Sequence, residues 1–244
     1  MVIGLLVLLV AGVLLPGDHP GEDAASEVRI ATSKPVVPLR IMPLGASSTE
    51  GVGSPATAGY RLPLYRMLQR AAVAVDYVGS RSSGPPALPD RDNEGHSGWT
   101  LADLSPHVDG WVRAAQPDVV LLHAGTNDLG QGTSGEVTAR RLDDVLGRIL
   151  RAAPRAHVVV AGVWAPLPRA RAARAQFTAL APLVVAKFRM QGYSVDFLDT
   201  STLLPPDRLA DGLHPNTQGY VRIAALFETE IRDWLATRAP ADRR

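Results

Sequence analysis

Five short apolar runs, each followed by a segment of helical periodicity, constrain this chain more than any other feature. The runs are Val36–Leu44, Val73–Val78, Asp118–Leu122, His157–Val163 and Ser194–Leu198. Several are apolar at consecutive positions, as strands must be when helices cover both faces of their sheet. Between and after them, apolar residues recur at three- and four-residue steps. Leu64, Met67, Leu68 and Ala71 form one stripe, and Leu101, Leu104, Val108, Trp111 and Val112 a second. Leu142, Val145, Leu146, Ile149 and Leu150 form another, and Tyr220, Ile223, Ala224, Phe227, Ile231 and Trp234 the last. The Ala-rich stretch 169–190 reads as a helix with a less regular stripe. This alternation implies an α/β fold, a three-layer α/β/α sandwich on a five-stranded parallel sheet. Right-handed crossovers leave few topologies, and the flavodoxin-like strand order 2-1-3-4-5 is the expectation. In that order the winding reverses between strands 1 and 3, and ligands bind beyond the carboxyl ends of those strands. The loops after Leu44 and Leu122 are therefore where a site is sought.

The sheet and its helices fill one domain over 38–238. Residues 2–15 are wholly apolar, too short for a membrane span of about 20 residues but suited to a signal-peptide core. Residues 1–25 are thus expected to be a signal peptide or N-terminal anchor, with 26–37 a linker. Export is the expectation, and membrane association only if the segment stays uncleaved. With no cysteine in the chain, disulfides, thiolate nucleophiles and Cys-ligated zinc are excluded. The 25 basic and 24 acidic residues nearly cancel, so no nucleic-acid surface is indicated. The densest basic run, Arg169 to Arg174, lies in a helical context and reads as a solvated face. A monomer is expected.

Four segments carry chemistry. Gly45-Ala46-Ser47-Ser48-Thr49-Glu50-Gly51 follows strand 1, and Gly125-Thr126-Asn127-Asp128 follows strand 3. Between them lies Asn93-Glu94-Gly95-His96-Ser97-Gly98-Trp99, and near the end comes Asp211-Gly212-Leu213-His214-Pro215. A serine hydroxyl becomes a nucleophile only beside a base, and Ser47 in a tight turn at a strand end can present its Oγ to a cleft. Equally, Ser47 fits as the N-cap of a following helix, a role for which Ser48 and Thr49 compete. His214 suits a general base, with Asp211 three residues earlier able to reach its Nδ1–H. Pro215 suits the first position of the last helix. The alternative is an Asp-Gly turn with a surface histidine.

Together and in order, the four segments resemble the signature blocks of the SGNH (GDSL-like) hydrolase superfamily, over about residues 38 to 236. The resemblance implies a serine esterase working through an acyl-enzyme, with Ser47, Asp211 and His214 catalytic and no metal or cofactor. It assigns an oxyanion hole to the backbone N–H groups of Ser47 and Gly98 and the side-chain amide of Asn127. Taken alone, Gly98 reads as a plain turn and Asn127 as an Asx-turn. Asp128 is expected to brace its loop. One departure stands out: the superfamily usually has Asp before the nucleophile, where this chain has Ala46. Its absence leaves two effects open, a looser nucleophile turn or altered activity.

Among branches, the segments look most like the acetyl-xylan-esterase-like carbohydrate esterases (carbohydrate-esterase family three) and their actinobacterial relatives. The substrate implied is a short acyl group, acetyl above all, on a small molecule or polysaccharide. Trp99 fits either a sugar-stacking platform or a buried loop anchor, and the long loop Gly79–Gly98 is expected to wall the cleft. Three other readings stand beside this one. They are a broad esterase, lipase-like acylhydrolase or thioesterase with the same residues; a non-catalytic carbohydrate-binding relative; and a metal-dependent phosphoesterase built from His96, His123, Asp128, Asp211 and His214.

Overall fold

The computed structural model describes residues 37–238. The expected leader, and all of the expected linker but its last residue, lie outside the described residues. In chain order the elements are β1 (Leu39–Gly45), α1 (Ser47–Glu50), α2 (Arg61–Arg70), β2 (Val75–Tyr77), β3 (Arg81–Ser82) and β4 (Asp92–Gly95). There follow α3 (Leu101–Ala115), β5 (Val119–His123), α4 (Thr126–Gly130), α5 (Gly135–Ala152), β6 (His157–Ala161), α6 (Arg171–Met190), β7 (Val195–Leu198) and α7 (Thr217–Thr237). Among the described residues no helix is long and apolar enough to cross a membrane.

Five of the strands pair in parallel as β2-β1-β5-β6-β7, which is the expected order 2-1-3-4-5. Strands β5 and β6 are buried at every residue, because α2 and α7 cover one face while α3, α5 and α6 cover the other. The apolar stripe of α5 is the reason that helix docks: Leu142, Val145, Leu146, Ile149 and Leu150 are all buried, each contributing about 1.5–3 kcal/mol. Its start is set by Ser134, whose hydroxyl accepts from the Val137 N–H. Helix α3 begins with a reciprocal capping box between Thr100 and Asp103. In α6 the stripe is Phe177, Ala181, Val185 and Phe188.

Three features differ from the sequence reading. The segment 79–98 is not only loop: β4 adds to the carboxyl end of β1 in parallel, and β3 pairs antiparallel to β4. Its residues are polar and lack strand alternation, yet Asn93 and Glu94 are fully buried. Ser80 donates to both oxygens of Glu94, and Asn93 bonds Ser83 Oγ, Arg91 O and Gly95 N–H. Second, Arg174 is not part of a solvated face. It turns inward and donates to the carbonyls of Val163 and Ser201, tying together the loops after β6 and β7. Third, the last helix starts at Thr217 with Asn216 as its N-cap, so Pro215 precedes the cap instead of opening the helix.

Candidate active site

The turn that carries Ser47 is built by backbone. At Gly45 an added Cβ would lie 2.1 Å from the His123 carbonyl oxygen, so only glycine lets β1 run this close to the end of β5. The chain then turns sharply at Ala46, whose carbonyl accepts from Thr49 and Glu50 N–H, while that of Ser47 accepts from Gly51 and Val52 N–H. These bonds close the turn without the family's aspartate. Ala46, 6% exposed, is the residue before the helix, and it makes no side-chain cap. Ser47 is therefore not a capping residue. It is the first residue of α1, and its Oγ faces His214.

His214 Nε2 is 3.0 Å from Ser47 Oγ, and His214 Nδ1 is 2.7 Å from Asp211 Oδ2. The other carboxylate oxygen, Oδ1, accepts from the backbone N–H groups of Leu213 and His214 at 3.0 and 2.7 Å. Desolvation pushes the Asp211 carboxyl up, but the bonds from His214 and Leu213 outweigh it and hold it at about 2. A charged Asp211 fixes the proton on Nδ1 and leaves the Nε2 lone pair for the serine. The loop itself is pinned by the Ala210 N–H donating to His214 O and by a bridge between Leu209 and Pro215. Tyr220 of α7 donates to Val52 O, joining the helix after His214 to the loop after Ser47.

Ser47, Asn127 and His214 line one small recess, with Ala46, Ala124, Leu213 and Trp164 among its other walls. The Asn127 amide donates to Trp99 O at 2.7 Å. That bond identifies its nitrogen and leaves a second N–H to donate, so Asn127 is more than an Asx-turn. Gly98 has φ +84 with open space around it; the conformation, not crowding, calls for glycine there. On either side the loop is tied down: Ser97 donates to Glu50 of α1, and Trp99 accepts from Asn127. Gly98 is thus suspended between the nucleophile helix and the asparagine. This arrangement can polarise a carbonyl and deliver a serine oxygen to it.

Of the remaining candidates only His123 lines the recess. Trp99 stacks on His96 (4.3 Å, 25°) and tilts against His107 (5.4 Å), so it anchors its loop and does not line the recess. Asp128 is buried, accepts from Leu101 N–H and pairs with Arg141 at 2.8 Å, which is the bracing role expected. His96 pairs with Glu94. His123 stacks on Trp164 at 3.4 Å, and burial lowers its pKa to about 3. Asp211 and His214 pair with each other, while His96, His123 and Asp128 are held by Glu94, Trp164 and Arg141, so the ligand atoms of the five residues considered for a metal-dependent phosphoesterase do not gather at one point.

Sequence reasoning missed Trp164, Glu50 and Arg61. Trp164 sits three residues beyond β6, at the carboxyl edge of the sheet, and that placement was its one signal. Arg61 gave none: it reads as a surface residue of α2, but it is fully buried. Its guanidinium donates to the carbonyls of Glu50, Thr57, Ser83 and Arg91, clamping the end of α1 to the 79–98 excursion.

Known proteins of similar sequence and fold carry esterase names. A family 3 carbohydrate esterase from Clostridium thermocellum superposes with a TM-score of 0.74 at 35% identity, covering 82% of this chain and 98% of that one. A carbohydrate esterase family 3 structure from Talaromyces cellulolyticus gives 0.70 at 26% identity, covering 82% and 100%. A multidomain esterase from Ruminococcus flavefaciens is 25% identical over 229 residues, 81% of this chain. The chain spans only 29% of that relative's length. The model of the GDSL-like lipase/acylhydrolase family matches residues 44–222, from the turn at Ser47 through the loop of His214 and into α7. The chain therefore belongs to the GDSL-like lipase/acylhydrolase family.

Proposed function

We propose that this protein is a serine esterase that removes a short acyl group, acetyl above all, from a carbohydrate hydroxyl. Ser47 Oγ attacks the ester carbonyl carbon while His214 Nε2 takes its proton. Asp211 stabilises the imidazolium that forms. The carbonyl oxygen, now negative, is received by the N–H groups of Ser47 and Gly98 and the free N–H of Asn127. His214 then gives its proton to the departing sugar oxygen, leaving an acyl-Ser47. A water replaces the alcohol, loses a proton to His214, and releases the carboxylic acid. No step needs a metal or an organic cofactor.

The observation that carries this reading is the unbroken relay from Asp211 through His214 to Ser47, opening on the same recess as Asn127. The recess beside Ser47 is walled by Trp164 and admits about one water-sized group, which favours acetyl over longer chains. Family 3 carbohydrate esterases among the structural relatives support a sugar as the alcohol. The apolar run 2–15 supports secretion, testable by sequencing the amino terminus of protein from culture medium.

Acetate release from a panel of acetylated sugars and xylan, with Ser47→Ala as control, tests the activity. Turnover should fall by several orders of magnitude in Ser47→Ala, and an organophosphorus probe should label only the wild type. A wild-type protein that folds but neither labels nor releases acid would instead be a non-catalytic binder. Rates that hold on long-chain aryl esters, without acetate release from sugars, would point to a broad acylhydrolase.

A further inference from the structure

At the end of the sheet opposite the Ser47 recess, three side chains face one another, and no hydrogen bond reaches the imidazole Nε2 among them. His157 opens β6, Asp196 is the second residue of β7, and Glu230 lies in α7. His157 Nε2 is 3.8 Å from Asp196 Oδ2 and 3.9 Å from Glu230 Oε1, too far for hydrogen bonds. All three atoms lie within 4.8 Å of one another. The imidazole is 1% exposed and its Nε2 has no hydrogen-bond partner. Its Nδ1 is 2.9 Å from Ser194 Oγ, and the ring stacks on Trp234 at 5.1 Å and 10°. Held on two sides, the ring aims Nε2 between the carboxylates.

Either neutral tautomer leaves the same deficit. With the proton on Nδ1 and donated to Ser194, three acceptors confront each other. With the proton on Nε2, a buried donor has no acceptor in reach, which is costly. A shared cation removes both problems. We propose that His157, Asp196 and Glu230 form a structural site for a divalent cation of the zinc class.

One imidazole nitrogen and two carboxylate oxygens suit zinc and its neighbours, with water completing the shell. Ser194 plays the part usually taken by the group that orients a ligating histidine. Tetrahedral bonds of about 2.0–2.1 Å place neighbouring ligands about 3.3 Å apart, so each carboxylate must move about half an ångström or more toward the His157 Nε2 from its present 3.8 or 3.9 Å. Asp196 and Glu230 are partly exposed and free to make that adjustment. Nearby charges act in both directions. Arg189 ion-pairs with Asp196 Oδ1, leaving Oδ2 for the metal but opposing it, while Asp233 adds negative charge beside Glu230. The site clasps β6, β7 and α7, far in sequence but adjacent in the fold, and stands apart from the Ser47 chemistry.

The test strips the full chain with a chelator, then follows zinc by equilibrium dialysis and thermal unfolding. One equivalent should bind per chain, and zinc at a hundredfold over its Kd should raise Tm by about 5–10 °C. Both effects should vanish in Glu230→Gln and persist in His214→Ala, which removes the imidazole of the other cluster. Should Glu230→Gln not fold, Asp196→Asn reads the same loss. Absence of bound zinc in the wild type, or binding undiminished by those substitutions, overturns the proposal. So does a metal-insensitive protein stabilised by acid, the mark of a bare His157 ion pair.

Discussion

Asp211→Asn separates a carboxylate that orders the imidazole from one that only shapes its loop. Oδ1 accepts two backbone N–H groups and Oδ2 faces His214 Nδ1. Asparagine keeps a single oxygen, and the two backbone donors claim it, leaving the NH₂ turned toward Nδ1. Nδ1 must then accept, which moves the ring proton to Nε2, against Ser47 Oγ. In that tautomer His214 cannot take the serine's proton. Neutralising such a carboxylate costs about 10⁴ in kcat, equivalent to about 5.5 kcal/mol of transition-state stabilisation. Stability should move little, because the loop's backbone bonds survive and the carboxylate is 53% exposed, where ion pairs contribute at most about 1 kcal/mol. For a domain of this size that is a Tm change within about 2–4 °C. Asp211→Ala, which loses the backbone acceptor as well, should lose more Tm. Steady-state kinetics on an aryl acetate, with calorimetry on the same preparations, reads both quantities. An asparagine variant keeping more than a tenth of wild-type kcat, or losing activity only in proportion to Tm, would refute the tautomer argument.

Asn127→Ala removes one oxyanion donor and should lower kcat by about 10²–10³ with little change in KM; a loss under tenfold would take Asn127 out of the oxyanion hole. Trp164→Ala should cost about 3–5 kcal/mol of stability and raise butyrate hydrolysis relative to acetate, and an unchanged ratio would mean that Trp164 does not limit acyl length. Burial holds His123 at about 3 against 6.5 for a free imidazole. As pH falls through that window the unfolded chain takes up a proton that the folded chain refuses, so stability drops with acid. His123→Phe, which can keep the stack on Trp164, should flatten the Tm–pH curve between about pH 6 and 4; an unaltered slope would exclude His123 as its source. For Asp211 the sign is the same but the cause differs: hydrogen bonds to its charged form depress the pKa, and the stability they add above 3.8 disappears as pH falls toward about 2.

Much of the fold was legible because its signals are local. A strand buried on both faces and a helix with one apolar stripe each declare themselves within a dozen residues, and right-handed crossovers then leave little choice of order. The excursion 79–98 was not legible, because the burial of Asn93 and Glu94 rests on partners and not on apolarity. Arg61 was hidden for the same reason: four carbonyls from distant segments make a buried guanidinium tolerable, and none of them is a neighbour in sequence. Trp99 shows the converse, a residue whose type fits a sugar platform and whose half-buried ring packs on His96 and His107 outside the recess.

What the sequence determined by itself were the short-range pieces. These are the strand-end glycine before Ser47, the three-residue step from Asp211 to His214 and the asparagine after β5. Only the tertiary structure decided that Ser47 and His214, 167 residues apart, meet at one recess, that Asn127 is turned by Trp99 O, and that Trp164 is one of the recess's walls. The physical reason is distance along the chain. Periodicity and spacing encode what a backbone does over a turn or a strand, whereas convergence depends on how the packed layers bring separate turns to the same end of the sheet.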